Sequence, residues 1–267
     1  MILHFLLCLV GFTIGLIASF MGVGGGFVLV PTLILLFGFQ AHRAVGTSAA
    51  VIIFSGLFSA IAYFKQRRVD WGVALALELV TAPGAFLGAI ATKFISSSGL
   101  ETLLAAFLLF LAYQMWRRDY GENPLKLPAK FAWERKVTDV DGVSWRYKIN
   151  IVKVSSLSFF AGFLAGFFGI GGGVMKVPIL SYSGTPIHIA IATSSFMVFI
   201  TASSSMIGHS FLGNVEWGWL AGLVPGVLIG TQLGARAAKK SKPKILRRSF
   251  TIILSLMAVL MLLKGRV

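Results

Sequence analysis

The chain has little charge, few acids and almost no cysteine. Of 267 residues, 12% are charged and 57% hydrophobic. A soluble domain carries about 25% charged and 45–50% apolar residues, so a water-soluble globule is excluded. Intrinsic disorder is excluded too, because it requires low hydrophobicity. Only Cys8 is present, so there is neither an intrachain disulfide nor a cysteine cluster for zinc. No Ser–His–Asp set, paired carboxylates or metal-ligand spacing is legible. No catalytic residue, metal or cofactor is therefore expected, and the chain does not read as an enzyme. The first residues, Met1-Ile2-Leu3-His4-Phe5, lack a basic n-region and no Ala-x-Ala site follows. They read as a retained membrane segment and not as a cleaved leader.

What is abundant is apolar sequence in long runs. Mean hydropathy is +0.86. Segments of about 20 apolar residues span a bilayer as helices. Ten apolar segments are predicted, at 2–21, 26–39, 44–64, 71–92, 100–116, 151–168, 174–187, 190–212, 217–238 and 249–263. The second and seventh are too short for ordinary spans and directly follow glycine clusters. They read as half-helices or arms of re-entrant hairpins, a device found at transport sites. The expected fold is all-α: a polytopic integral membrane protein with eight to ten transmembrane segments. Residues 1–116 form one transmembrane repeat, 117–150 a cytoplasmic linker loop that can hold a small hairpin, and 151–267 a second repeat.

The basic residues have a pattern of their own. Net charge is +15, yet no basic stripe alternates with exposed aromatics as single-strand grooves require. Nucleic acid is not an expected partner. Lys and Arg instead gather in alternate breaks: three in 65–70, nine in 117–153 and six in 239–248, against Arg43, Lys93, Lys264 and Arg266 in the others. Positively charged loops stay on the cytoplasmic side. The rich breaks are therefore placed inside and both termini outside, in the plasma (inner) membrane of a prokaryote.

An internal repeat is the strongest signal. Residues 15–31, GLIASFMGVGGGFVLVP, match residues 162–178, GFLAGFFGIGGGVMKVP, at nine of 17 positions. After a one-residue deletion Gly38, His42, Ala44, Thr47 and Ser48 meet Gly184, His188, Ala190, Thr193 and Ser194. Val69-Asp70-Trp71-Gly72 meets Val215-Glu216-Trp217-Gly218, and Gly84 and Gly88 meet Gly230 and Gly234. The break before Trp71 carries three basic residues, whereas its equivalent before Trp217 carries only Glu216. Matching loops thus fall on opposite faces, which predicts inverted-topology repeats with a substrate site near the midplane.

Candidate site residues follow from the repeat. Gly22, Gly24, Gly25 and Gly26, with Gly169, Gly171, Gly172 and Gly173, disfavour helix by about 1 kcal/mol each against Ala. Their bare amides open short helices, and free N–H groups at a helix start bind anions; close helix packing is the alternative. Thr47, Ser48, Thr193, Ser194 and Ser195 supply hydroxyls for an anion, or bond back to helix carbonyls. Lys176, whose repeat partner is Leu29, lies in an apolar run where a charge is costly and usually functional. It is read as neutralising an anion, as snorkelling, or as pairing with Glu78. Glu78 and His209 are coupling candidates. Trp71 and Trp217 read as interface anchors, and Gly84/Gly88 and Gly230/Gly234 as small-xxx-small packing.

The duplicated G-x-G-G-G…P, the following G/A-T-S and the V-D/E-W-G element resemble the TauE/SafE family of membrane proteins, also called sulfite exporters, over residues 5–116 and 151–263. The resemblance implies movement of a sulfur-containing anion such as sulfite, sulfoacetate or another organosulfonate. The distantly related thiosulfate-uptake proteins carry cysteines along their path; Cys8, outside the motifs, departs from that pattern. The expected function is a secondary transporter of such an anion working by alternating access, with export and proton coupling preferred. A channel-like anion pathway and a membrane scaffold are the alternatives. The partners are the anion, protons and the lipid bilayer, and a homodimer is compatible with the sequence.

Overall fold

The computed structural model describes residues 2–117 and 132–264. Their order is α1 (Ile2–Met21), α2 (Gly26–Phe37), α3 (Ala41–Lys65), α4 (Trp71–Ala91), α5 (Ser97–Arg117), β1 (Ala132–Thr138), β2 (Ser144–Asn150), α6 (Ile151–Phe168), α7 (Gly173–Tyr182), α8 (Ile187–Phe211), α9 (Leu220–Lys240) and α10 (Pro243–Lys264). Each expected apolar segment is a helix. Among the described residues, seven stretches are long and apolar enough to cross a membrane. The chain is a polytopic, mostly helical membrane protein.

The helix ends depart from the apolar runs for local reasons. The runs at 26–39 and 174–187 end as helices at Phe37 and Tyr182. Gly38 takes a left-handed conformation, φ 67°, and its N–H caps Leu33 O. Gly184, at φ 99°, closes the other. Left-handed glycine after the last turn satisfies orphan carbonyls at low steric cost. The run from 217 opens as a short 3-10 turn, Trp217–Trp219, before α9. At a rise of 1.5 Å per residue, α2 and α7 reach only about 15–18 Å, half of a hydrocarbon core of about 30 Å.

α3 packs on α8, α1 lies along α9, and α4 lies along α6. Glycines set those distances. A Cβ on Gly88 would sit 1.9 Å from Phe163 O, and one on Gly234 would sit 2.3 Å from Leu16 O. Glycine lets the backbones approach where any side chain would collide. Residues 118–131 of the expected linker lie outside the described residues. Arg117 ends α5, and residues 132–150 form an antiparallel hairpin, with Ala132 opposite Asn150 and Thr138 opposite Ser144. Its turn is held by the Asp139 carboxylate, which accepts from Asp141 N–H at 2.9 Å and Val143 N–H at 3.0 Å.

Candidate functional site

The two glycine clusters meet in the interior. Gly22, Gly24, Gly25, Gly169, Gly171 and Gly172 all have positive φ, between 62° and 86°, which only glycine adopts without strain. Gly25 and Gly172 are the residues that cap α2 and α7. The first N–H groups of a helix have no intrahelical acceptor, so two sets of donors open in the core. A Cβ on Gly26 would lie 2.5 Å from Gly169 O, and one on Gly173 would lie 2.6 Å from Gly22 O. The clusters therefore cross in direct contact. Ile52 and Val198, themselves repeat partners, pack against Gly24 and Gly171 alike.

The hydroxyls expected near an anion brace one repeat to the other. Ser48 donates to Gly169 O and Ser194 to Gly22 O, both at 2.8 Å. Thr47 Oγ1 accepts from Glu216 N–H and Thr193 Oγ1 from Asp70 N–H, both at 3.0 Å. Ser195 donates within its own helix, to Ile191 O. His209 is fully buried. Its Nε2 meets Gly166 O at 2.9 Å, and Tyr63, its repeat partner, donates to Ser19 O at 2.7 Å. Since Ser19 and Gly166 also correspond, a phenol and an imidazole fill one structural role.

Lys176 breaks this symmetry. Its ammonium is buried and bonds both the Glu78 carboxylate and Thr201 Oγ1. Thr201 in turn meets the two Glu78 oxygens at 3.0 and 2.9 Å. Of the three readings for Lys176, pairing with Glu78 is what the structure contains. The site is three-sided: Glu78 from α4, Lys176 from α7 and Thr201 from α8. It adjoins a glycine cluster, because a Cβ on Gly172 would lie 3.4 Å from Lys176 Cε. The repeat equivalents of these residues are Val224, Leu29 and Ser55. Ser55 instead donates to Gly24 O at 2.7 Å. Thr201 was the one member that sequence reading left out. Its correspondence with Ser55, one helix face along from Ser194, was the available signal.

A second polar cluster forms where the β-hairpin docks on the α3–α4 loop. Asp70 accepts from Arg135 Nε at 2.9 Å and Nη2 at 2.6 Å, from the Tyr147 hydroxyl at 2.7 Å and from Val73 N–H at 3.1 Å. Burial alone would raise the Asp70 carboxyl; the Arg135 guanidinium and the Tyr147 hydroxyl outweigh it and hold the group below the usual carboxylate range. Arg68 forms a buried pair with Asp139 at 2.7 Å. There too burial is outweighed, by the Arg68 bonds and the turn amides, and the carboxyl is lowered. Sequence reading marked Asp70 only as a repeat signature and found no site chemistry in the linker, because spacing along the chain does not reveal which loop a hairpin meets.

The profile of the family described as "Sulfite exporter TauE/SafE" matches residues 7–261. A "Probable membrane transporter protein YunE" from Bacillus subtilis is 31% identical, the match covering 97% of either chain. A "Probable membrane transporter protein MJ0441" from Methanocaldococcus jannaschii is 28% identical over 97% of this chain and 95% of that one. A "Sulfite exporter TauE/SafE family protein 6" from Arabidopsis thaliana is 23% identical over 91% of this chain and 76% of that one. No solved structure matches the chain.

Proposed function

The chain belongs to the TauE/SafE family of membrane transporters, and on that premise we propose that it is a secondary transporter of a small sulfur-containing anion: sulfite, sulfoacetate or another organosulfonate. The two halves, 1–116 and 151–267, act as inverted repeats joined by a cytoplasmic linker, with both termini outside a prokaryotic inner membrane. Alternating access opens the crossing glycine clusters first to one face and then to the other. The exchange of matched hydrogen bonds between the halves supports this reading. Cysteines at positions 67 and 214 should then label from opposite sides of the membrane; labelling from one side would sink the inversion.

The single observation that carries an anionic substrate is the buried Lys176–Glu78–Thr201 cluster beside Gly172, the residue that opens α7; that the anion contains sulfur rests on the family's description. An anion at those amides competes with Glu78 for the Lys176 ammonium. If Lys176 turns to the anion, Glu78 is left as an unpaired carboxylate in a medium of low dielectric, where an isolated charge is very costly. A proton on Glu78 removes that cost. Anion and proton therefore bind together; a monoanion such as hydrogensulfite crosses without net charge, whereas dianionic sulfoacetate carries one negative charge with it. Flow is outward when the anion accumulates inside. No bond is made or broken, and the protein is not an enzyme.

Proteoliposomes loaded with sulfoacetate or sulfite test this. The expected result is saturable anion efflux with matching alkalinisation of the interior, absent without protein. Efflux that ignores the proton gradient would favour a channel-like pathway. No flux of any candidate anion, with a protein partner retained on purification, would favour a scaffold.

A further inference from the structure

A groove of about 320 Å³ lies between the α3–α4 loop and strand β1. It is independent of the transport site. Its walls hold Arg67, Arg135 and Lys136 against one acid, Asp70. Asp70 is already satisfied by Arg135 and Tyr147, so that part of the wall is internally balanced. Arg67 and Lys136 are exposed and have no ion-pair partner among the described residues. The groove thus presents two uncompensated cations.

The apolar rim is equally specific. Phe64 is 60% exposed and Trp71 40% exposed, and their rings pack edge to face at 5.9 Å. They stand at the ends of the apolar stretches Ala41–Lys65 and Trp71–Phe94. Aromatic side chains at such ends sit at the level of lipid headgroups. The groove is therefore cationic toward water and aromatic toward hydrocarbon. Arg67 itself has φ 55°, a left-handed conformation that glycine would adopt at lower cost. Arg67 nonetheless occupies this position on the groove lining.

We infer that this groove binds the phosphodiester headgroup of an anionic phospholipid, with Arg67 and Lys136 on the phosphate and the first acyl carbons along Phe64 and Trp71. A free phosphate ester shares the charge but has nothing to lay on the rings, which is why the lipid is the chosen occupant. Basic pockets beside transmembrane helices take anionic headgroups, each Lys or Arg contributing about 1 kcal/mol, or about fivefold.

Native mass spectrometry of the full chain in detergent, titrated with phosphatidylglycerol, phosphatidylcholine or glycerol 3-phosphate, tests the assignment. Phosphatidylglycerol should bind about tenfold more tightly than phosphatidylcholine, and glycerol 3-phosphate should not displace it. Arg67→Gln with Lys136→Gln should lower phosphatidylglycerol binding about tenfold or more, and Lys136→Gln alone about fivefold. Lys93→Gln with Lys240→Gln removes the same charge elsewhere and should retain the preference. An equal loss in that control would reduce the effect to diffuse charge and overturn the site. Displacement by glycerol 3-phosphate would replace the lipid with a soluble phosphate ester. Equal binding of the two lipids would overturn the proposal outright.

Discussion

Gly24 and Gly171 hold matched places beside Ile52 and Val198, yet their surroundings differ in kind. Next to Gly24, Ser55 caps a carbonyl and the position that corresponds to Lys176 is Leu29, fully buried. Next to the second cluster, Lys176, Glu78 and Thr201 form a closed polar unit. Almost everything else is shared. Ser48 and Ser194 make the same bond, Thr47 and Thr193 accept the same N–H, and Tyr63 and His209 tie down corresponding carbonyls. The duplicated parts are those that position backbone. The unduplicated part is the one that sets a buried charge pair beside a glycine cluster. A scaffold needs both halves to pack alike, whereas the proposed transport cycle needs only one buried charge pair for one anion and one proton.

The largest expected effect comes from erasing that difference. Lys176→Leu alone leaves Glu78 without a partner, and Glu78→Val alone does the same to Lys176. Removing one member of a buried pair costs about 3–5 kcal/mol. Both single variants should lose stability in detergent melting. The combined Lys176→Leu/Glu78→Val variant copies the residues of the other half. Replacing a buried pair by apolar side chains is often neutral or stabilising, by about 1–4 kcal/mol. The combined variant should therefore melt at or above the parent temperature, while anion-coupled proton movement falls at least tenfold, about 1.4 kcal/mol or more. Transport at parental rate by a stable combined variant would break the comparison and leave the glycine amides as the whole site.

A smaller effect probes what the halves share. Gly88 and Gly234 stand at corresponding contacts, α4 on α6 and α9 on α1. Gly88→Ala and Gly234→Ala would each drive a methyl group into a backbone carbonyl. Overpacking costs about 1–3 kcal/mol, and the two losses should agree within about 0.5 kcal/mol by the precision of such comparisons. A large loss in one variant and none in the other would mean that the halves are not mechanically equivalent.

Much of this is legible in the sequence. The ten α-helices among the described residues follow from apolar run length, and the repeat places corresponding glycines at corresponding contacts. Helix ends were read less well, since Gly38 and Gly184 terminate helices inside apolar composition. For Lys176, the sequence offered three roles and gave no means to choose among them. Its partner is 98 positions away, and only packing of α4, α7 and α8 brings the two together. Hydroxyl direction was equally hidden. Ser48 and Ser194 carry the right chemistry for an anion, but the fold aims each at a carbonyl of the opposite half. The docking of the hairpin on Asp70 left no sequence signal beyond an acid before Trp71.

The smallest effect concerns Asp70 and its counterpart Glu216, which share the backbone bond to a threonine but not its surroundings. Asp70 is buried under Arg135 and Tyr147, whereas Glu216 meets Arg43 in an exposed pair. An exposed pair contributes about 0–1 kcal/mol, so Glu216→Gln should change little. Asp70→Asn strips a buried charge-assisted contact, worth about 1–3 kcal/mol. The pH dependence has a definite sign. Because the Asp70 carboxyl is held below its usual range in the folded protein, its contribution is full above the unfolded value of about 3.9 and is lost as pH falls through the lower, folded value. Asp139 is lowered as well and acts in the same direction. Acidification below about pH 4 should therefore loosen the hairpin first. Hydrogen exchange of residues 132–150, corrected for the intrinsic rate, should rise on acidification in the parent. Asp70→Asn should already exchange faster at neutral pH and respond less to acid. If Asp70→Asn and Glu216→Gln exchange alike at every pH, the two loops are equivalent and the hairpin is held by its other contacts, such as the Arg68–Asp139 pair and the apolar packing of Val137 and Ile149.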